Sequence, residues 1–127
     1  MDECNTVIIS YTRAEAIEEC VLIDVTETAK EAGFRTPVAV TSSVWADYIA
    51  VPNGVEGQDE RGRLWDVLMM LRFAIRSGKG SGSIIRYRLY VRNDNRDADP
   101  PEVELKAVCG PDDDGMPCVT VMLPEED

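Results

Sequence analysis

The sequence predicts an α+β domain in which short helices and one long central helix pack on a predominantly antiparallel sheet ending in a three-stranded meander. Three observations carry this. First, Ile85, Tyr87, Leu89 and Val91 alternate with Arg86, Arg88, Tyr90 and Arg92, the two-residue period of a half-buried strand. Second, Val103, Leu105, Ala107 and Cys109 repeat that alternation, and Cys118 to Leu123 return after an Asp-Asp-Asp-Gly turn. Third, from about Asp59 to Ser77 apolar residues surround most of a helix circumference, which marks a central, heavily buried element. A chain of 127 residues and 14.1 kDa has room for one such core and not for two, so a single domain spanning 1–127 is expected.

The earlier elements follow from local signals. Thr6 to Tyr11 is apolar and β-branched, a strand pattern. Thr12-Arg13-Ala14-Glu15 has the spacing of a capping box and opens a helix that should stop near Cys20. Val21-Leu22-Ile23-Asp24-Val25 reads as a short buried strand, and Thr26 then caps a helix running through Ala29 and Ala32 to Gly33. Pro37 to Val40 fits either a strand or an extended lead-in. Thr41 or Ser42 starts a third helix over Val44 to Ile49, ended by Pro52. Gly54 to Gly62 is a polar, glycine-punctuated loop with freedom to fold back or move. Gly78 to Ser83 links helix to strand and lacks the GKS/T or GxGxxG spacing of a phosphate cradle, which in any case opens a helix.

Charge narrows the function. With 24 Asp plus Glu against 13 Lys plus Arg the chain carries −11, which argues against a surface that grips nucleic acid or anionic lipid everywhere. The balance is uneven. Between Arg61 and Arg96 nine basic residues face two acids, a local +7, and the remaining chain holds −18. Two surfaces come forward. The acidic clusters Asp112, Asp113 and Asp114, the terminal Glu125, Glu126 and Asp127, and Glu15, Glu18 and Glu19 on the first helix would present carboxylates to a basic surface of a partner. Alternatively Arg86, Arg88, Tyr90 and Arg92 form a basic, aromatic strand face suited to single-stranded nucleic acid. Against that second reading, Glu102 and Glu104 fall on the same face if their strand pairs with Ile84 to Arg92, and would neutralise the arginines. Turn chemistry and solvation also account for much of the acidic clustering.

Catalysis has little to work with. No histidine is present, which removes the commonest general base, triads built on imidazole and most zinc or haem sites. Asp24 and Asp66 are candidate acids in apolar settings, although such a residue is more often a capping or ion-paired carboxylate, Asp66 answering Arg63 or Arg72. No catalytic residue, cofactor or metal site is assigned; the Asp run lacks the alternating oxygen-ligand spacing of a calcium loop. Cys4, Cys20, Cys109 and Cys118 form no CxxC pair and read as reduced thiols, although Cys109 and Cys118 flank a turn and invite the question of a disulfide. The acidic Met1-Asp2-Glu3-Cys4 start and the lack of a spanning apolar run point to a cytoplasmic protein without a membrane partner.

The segments Tyr11 to Ile17, Val21 to Val25, Glu31 to Arg35, Pro37 to Thr41 and Val44-Trp45 resemble a family of small bacterial proteins of unknown function carried on plasmids, integrative elements and phages. The likeness continues through Val55 to Asp59, Gly62 to Leu68, Val91 to Asn95 and Leu123 to Asp127, nearly the whole chain. The resemblance implies residence on mobile DNA and transfers no active-site residues. By analogy with other small acidic proteins of such elements, it suggests a counter-defence inhibitor, of anti-CRISPR or anti-restriction type, that binds a basic host nucleoprotein complex.

Overall fold

The computed structural model describes residues 12–78, 83–96 and 98–126, so the expected strand Thr6 to Tyr11, Cys4 and most of the Gly78 to Ser83 connector lie outside the described residues. The architecture is α+β. Helix α1 (Arg13–Glu18), strand β1 (Leu22–Asp24), helix α2 (Thr26–Glu31) and strand β2 (Val38–Thr41) lead to a single turn α3 (Ser42–Val44), which widens into a π turn over Trp45–Ile49. The long helix α4 (Glu60–Arg76) and strands β3 (Ile84–Tyr90), β4 (Glu102–Pro111) and β5 (Pro117–Met122) complete the chain.

These five strands form one sheet in the order β1-β2-β5-β4-β3. The C-terminal three make the expected antiparallel meander, with Tyr87 opposite Leu105 and Ala107 opposite Val121. β1 and β2 also pair antiparallel, but β2 joins β5 in parallel, with Val40 opposite Val121, so the sheet is mixed. One face carries Val38, Val40, Leu105, Tyr87 and Val121 into a core shared with Ala29, Val44, Ile49, Val67, Leu68 and Leu71 of the covering helices. α1 lies against the other face, where the Arg13 guanidinium donates to Thr120 Oγ1 (2.6 Å) and Val119 O (2.9 Å).

Local chemistry explains the boundaries. Thr12 forms the full capping box with Glu15: its hydroxyl accepts from Glu15 N, and Glu15 Oε1 accepts from Thr12 N, each at 3.0 Å. Cys20 ends that turn with φ +62. Thr26 does not cap α2. It is the first helical residue, and its hydroxyl is spent on Asp24 Oδ1 (2.5 Å) and Val38 N (3.2 Å), tying the helix start to strand β2. β1 is also less buried than its apolar run suggests: Leu22 and Ile23 are half-buried and Val21 is exposed, because this strand ends the described sheet. Gly33 follows α2 at φ +101, the left-handed conformation that favours glycine, and a Cβ there would sit 2.8 Å from the Arg72 guanidinium carbon and displace that flexible side chain. Thr41 caps α3 through Val44 N (3.2 Å), and the π turn places Val44 and Ile49, five residues apart, both in the core.

Candidate interaction surface

Strand β3 builds the basic row as its period demands: Tyr87 and Leu89 are buried, whereas Arg86, Arg88 and Tyr90 project from the opposite face. Glu104 lies directly opposite Arg88, and Glu102 opposite Tyr90. The carboxylates bridge the row, with Arg86 Nη1 to Glu104 Oε2 at 3.3 Å, Arg88 Nη1 to Glu102 Oε1 at 3.5 Å and Arg88 Nε to Glu104 Oε1 at 3.7 Å. Arg92 turns away, and its guanidinium donates to the carbonyls of Arg96 and Ala98. The four residues are therefore not one continuous basic strip. Lys106, opposite Arg86, is buried and donates to Glu126 O.

Strand β3 also ends the described sheet, and among the described residues no strand pairs with its outer side. The bonds Cys109 N to Ser83 O (2.7 Å) and Val91 N to Pro101 O (3.1 Å) fix the phase of the ladder. In that phase Ile85, Tyr87 and Leu89 bond to β4, and the backbone N–H and C=O of Arg86 and Arg88 point outward. Beside this edge runs a groove of about 880 Å³ whose helical wall is Asp66, Met69, Met70 and Phe73 of α4. Phe73 is 62% exposed and Tyr90 64%. Partial burial pushes the Asp66 carboxyl above its usual pKa.

The acidic clusters are dispersed, and several members have structural work. Asp113 at the β4–β5 turn accepts from Arg13 N (2.8 Å) and Ala14 N (3.0 Å), docking the start of α1. Those amides of Ala14 and Arg13 hold its carboxyl below the ordinary value. Asp112 Oδ1 accepts from Asp114 N and Met116 N, each at 2.9 Å, and so shapes the turn. Glu126 accepts from Thr41 Oγ1 (2.8 Å) and Leu123 N (2.8 Å), pinning the C-terminal tail to β2. Glu15 belongs to the capping box, and its hydrogen bonds from the Thr12 backbone and side chain lower its pKa. Glu18, Glu19, Asp114 and Glu125 are exposed; Asp127 lies outside the described residues.

A polar hub with no counterpart among the residues expected to form a site lies at Arg63. Its side chain is buried, and it donates to Ile49 O (3.1 Å), Gln58 Oε1 (2.9 Å), Arg92 O (2.7 Å) and Asn93 Oδ1 (2.5 Å). Burial lowers its pKa, yet the four oxygens hold the cation without a carboxylate among them. Around it Asn93 Nδ2 donates to Asp47 O, Asn95 Nδ2 to Gly54 O and Gln58 Nε2 to Arg92 O, while Asn95 Oδ1 accepts from Glu56 N. The 54–62 loop, expected to be free to move, is thus stitched to residues 92–95. A signal was available: Arg63 shares the helix row of Val67, Leu71 and Ala74, all buried.

Asp24 and Asp66 do not converge, since one sits at β1 and the other beside β3, at opposite edges of the sheet. Cys20, Cys109 and Cys118 are free thiols. Cys109 is opposite Val119, the residue after Cys118, so the two sulfurs leave opposite faces of the hairpin and do not bridge. Among the described residues no group of three or more Cys, Asp or Glu could hold a metal ion, and no helix is long and apolar enough to cross a membrane. The chain belongs to a family of unknown function, DUF6573. That family's model matches residues 1–127, the full length. No curated protein and no solved structure matches it. Membership of DUF6573 accordingly brings no borrowed activity.

Proposed function

We propose that the protein is a non-catalytic interaction module whose negative exterior docks on a basic, nucleic-acid-handling surface of a host complex and blocks it. The observation that carries this is the cancellation of the Arg86 and Arg88 row by Glu102 and Glu104, at 3.3 to 3.7 Å, in a chain of net charge −11. With the arginines paired, the long-range field is that of the carboxylates, among them Asp114, Glu125, Glu18 and Glu19 on the exterior, and such a field steers encounter with a positive channel. Asp113 and Glu126 contribute charge while holding structure. The counter-defence assignment, anti-CRISPR or anti-restriction, and residence on a mobile element rest on the resemblance to plasmid and phage proteins together with this charge. Direct nucleic-acid binding by Arg86, Arg88, Tyr90 and Arg92 is the weaker reading, because Glu102 and Glu104 cancel the positive field of Arg86 and Arg88 that would attract phosphates, and Arg92 turns away to the carbonyls of Arg96 and Ala98.

The test pairs two measurements on the full chain. Capture of a host complex from lysate should be released by raising salt and be competed by an oligonucleotide, and D114N/E125Q should weaken it. Retardation of a labelled oligonucleotide by the chain alone, with the steep salt dependence of phosphate contacts, would reverse the assignment.

A further inference from the structure

We propose that the outer edge of β3, with the Met69, Met70 and Phe73 shelf of α4, is a strand-addition site for an extended partner segment that alternates acidic and apolar residues. Three observations fix the occupant's chemistry. The N–H and C=O groups of Arg86 and Arg88 point outward, so an added strand gains main-chain hydrogen bonds and places a residue directly beside each arginine. The arginine side chains remain 55% and 65% exposed, and Glu102 and Glu104 engage one nitrogen of Arg86 and two of Arg88 at 3.3 to 3.7 Å, so N–H donors remain for carboxylates of an added strand at those positions. Residues alternating with them turn toward α4 and its exposed apolar wall, so those positions are apolar.

The chain supplies its own template. On the inner side of β3 the Glu102-Val103-Glu104-Leu105 segment of β4 has this alternation, carboxylates on the arginine face and Val103 and Leu105 on the core face. The outer side, unpaired among the described residues, asks for the same pattern. A second copy of β3 does not meet it, because full antiparallel overlap sets Arg86 of one copy against Arg88 of the other, and like charges directly opposite are destabilising. This site is independent of the proposed docking of the acidic exterior: a failed peptide titration leaves salt-sensitive capture intact, and the converse holds.

The probe is a capped peptide, Glu-Val-Glu-Leu-Glu-Val-Glu, titrated into the full chain at low salt. Saturable binding is expected, with amide-exchange protection appearing at Arg86 and Arg88 and none added at Ile85 or Tyr87. R86Q/R88Q should weaken binding about tenfold, two cross-strand ion pairs' worth. F73S, at a position exposed and outside the core cluster, should weaken it severalfold with little change in thermal stability. Equal binding of the Lys-Val-Lys-Leu-Lys-Val-Lys peptide, or binding that leaves the Arg86 and Arg88 amides unprotected, overturns the proposal. So does protection of those amides without peptide: persisting on dilution it assigns the edge to the chain's own residues, and rising with protein concentration it assigns the edge to a second copy.

Discussion

Replacing Arg63 by methionine removes four hydrogen bonds at once and keeps the apolar stem, so it isolates what the guanidinium does. The bond to Ile49 O is buried, and water does not easily replace it; those to Gln58, Arg92 and Asn93 are part-buried, and their oxygens regain some solvent. A hydrogen bond from a charged donor contributes about 1.5–3 kcal/mol, and an orphaned buried acceptor costs about 1–3 kcal/mol. Relief of the desolvation carried by a buried cation offsets part of that sum. One full penalty and three partial ones leave a loss of about 3–5 kcal/mol, a large share of the ~5–15 kcal/mol that holds a domain folded. R63K keeps the charge but not the planar fork, and should recover about half of the loss. Urea unfolding followed by Trp45 and Trp65 fluorescence reads this as a lower midpoint at unchanged slope. Amide exchange should quicken in residues 54–58 and 91–95, the two segments the hub joins. A loss under about 1 kcal/mol for R63M, within the range of ordinary surface substitutions and their near neighbours, would refute the hub.

Gly33→Ala forces an L residue to φ +101 against the Arg72 guanidinium and should cost about 1–3 kcal/mol in urea unfolding, whereas Gly110→Ala, with nothing within 4 Å of its Cβ, should be nearly neutral. Asp113→Asn should quicken exchange in α1 and flatten the acid limb of stability. The sign follows from its lowered folded pKa: the stabilisation is present above the unfolded value of about 3.9 and is lost as pH falls through the folded one. Asp66→Asn should act oppositely, modestly raising the melting temperature at neutral pH. Its raised folded pKa means that the charged form is disfavoured in the native state and that the wild type gains relative stability as pH falls through that pKa.

What was legible in the sequence is what depends on local periodicity. The alternation of Ile84 to Arg92 assigns each residue of β3 to its observed face, and the apolar circumference of 59–77 locates α4 within a residue at either end. Capping chemistry worked where the hydroxyl oxygen was left to accept from the helix's own first turn, as at Thr12 and at Thr41, which still donates its proton to Glu126. It failed at Thr26, whose hydroxyl is claimed by Asp24 and by a strand twelve residues away. The parallel union of β2 with β5 was not legible, since it joins residues some eighty positions apart and depends on side chains only after the chain has met itself. The Arg63 hub lay between these cases: its row was visible in the helical period, its acceptors were not.

The same distinction bears on the charges. Counting acids locates the source of the field but not which carboxylates are free to meet a partner, because a turn or a helix start recruits the nearest one. Asp113 and Glu126 are recruited in this way, and their removal should perturb folding before it perturbs binding. A charge scan aimed at docking is therefore better begun at Asp114 and Glu125, whose loss changes the field by the same amount without cutting an anchor to α1 or β2. For Arg86 and Arg88 the logic runs the other way: their pairing with β4 cancels their field at a distance, yet leaves each guanidinium half-exposed at the edge of the described sheet, where only a partner in direct contact would feel it.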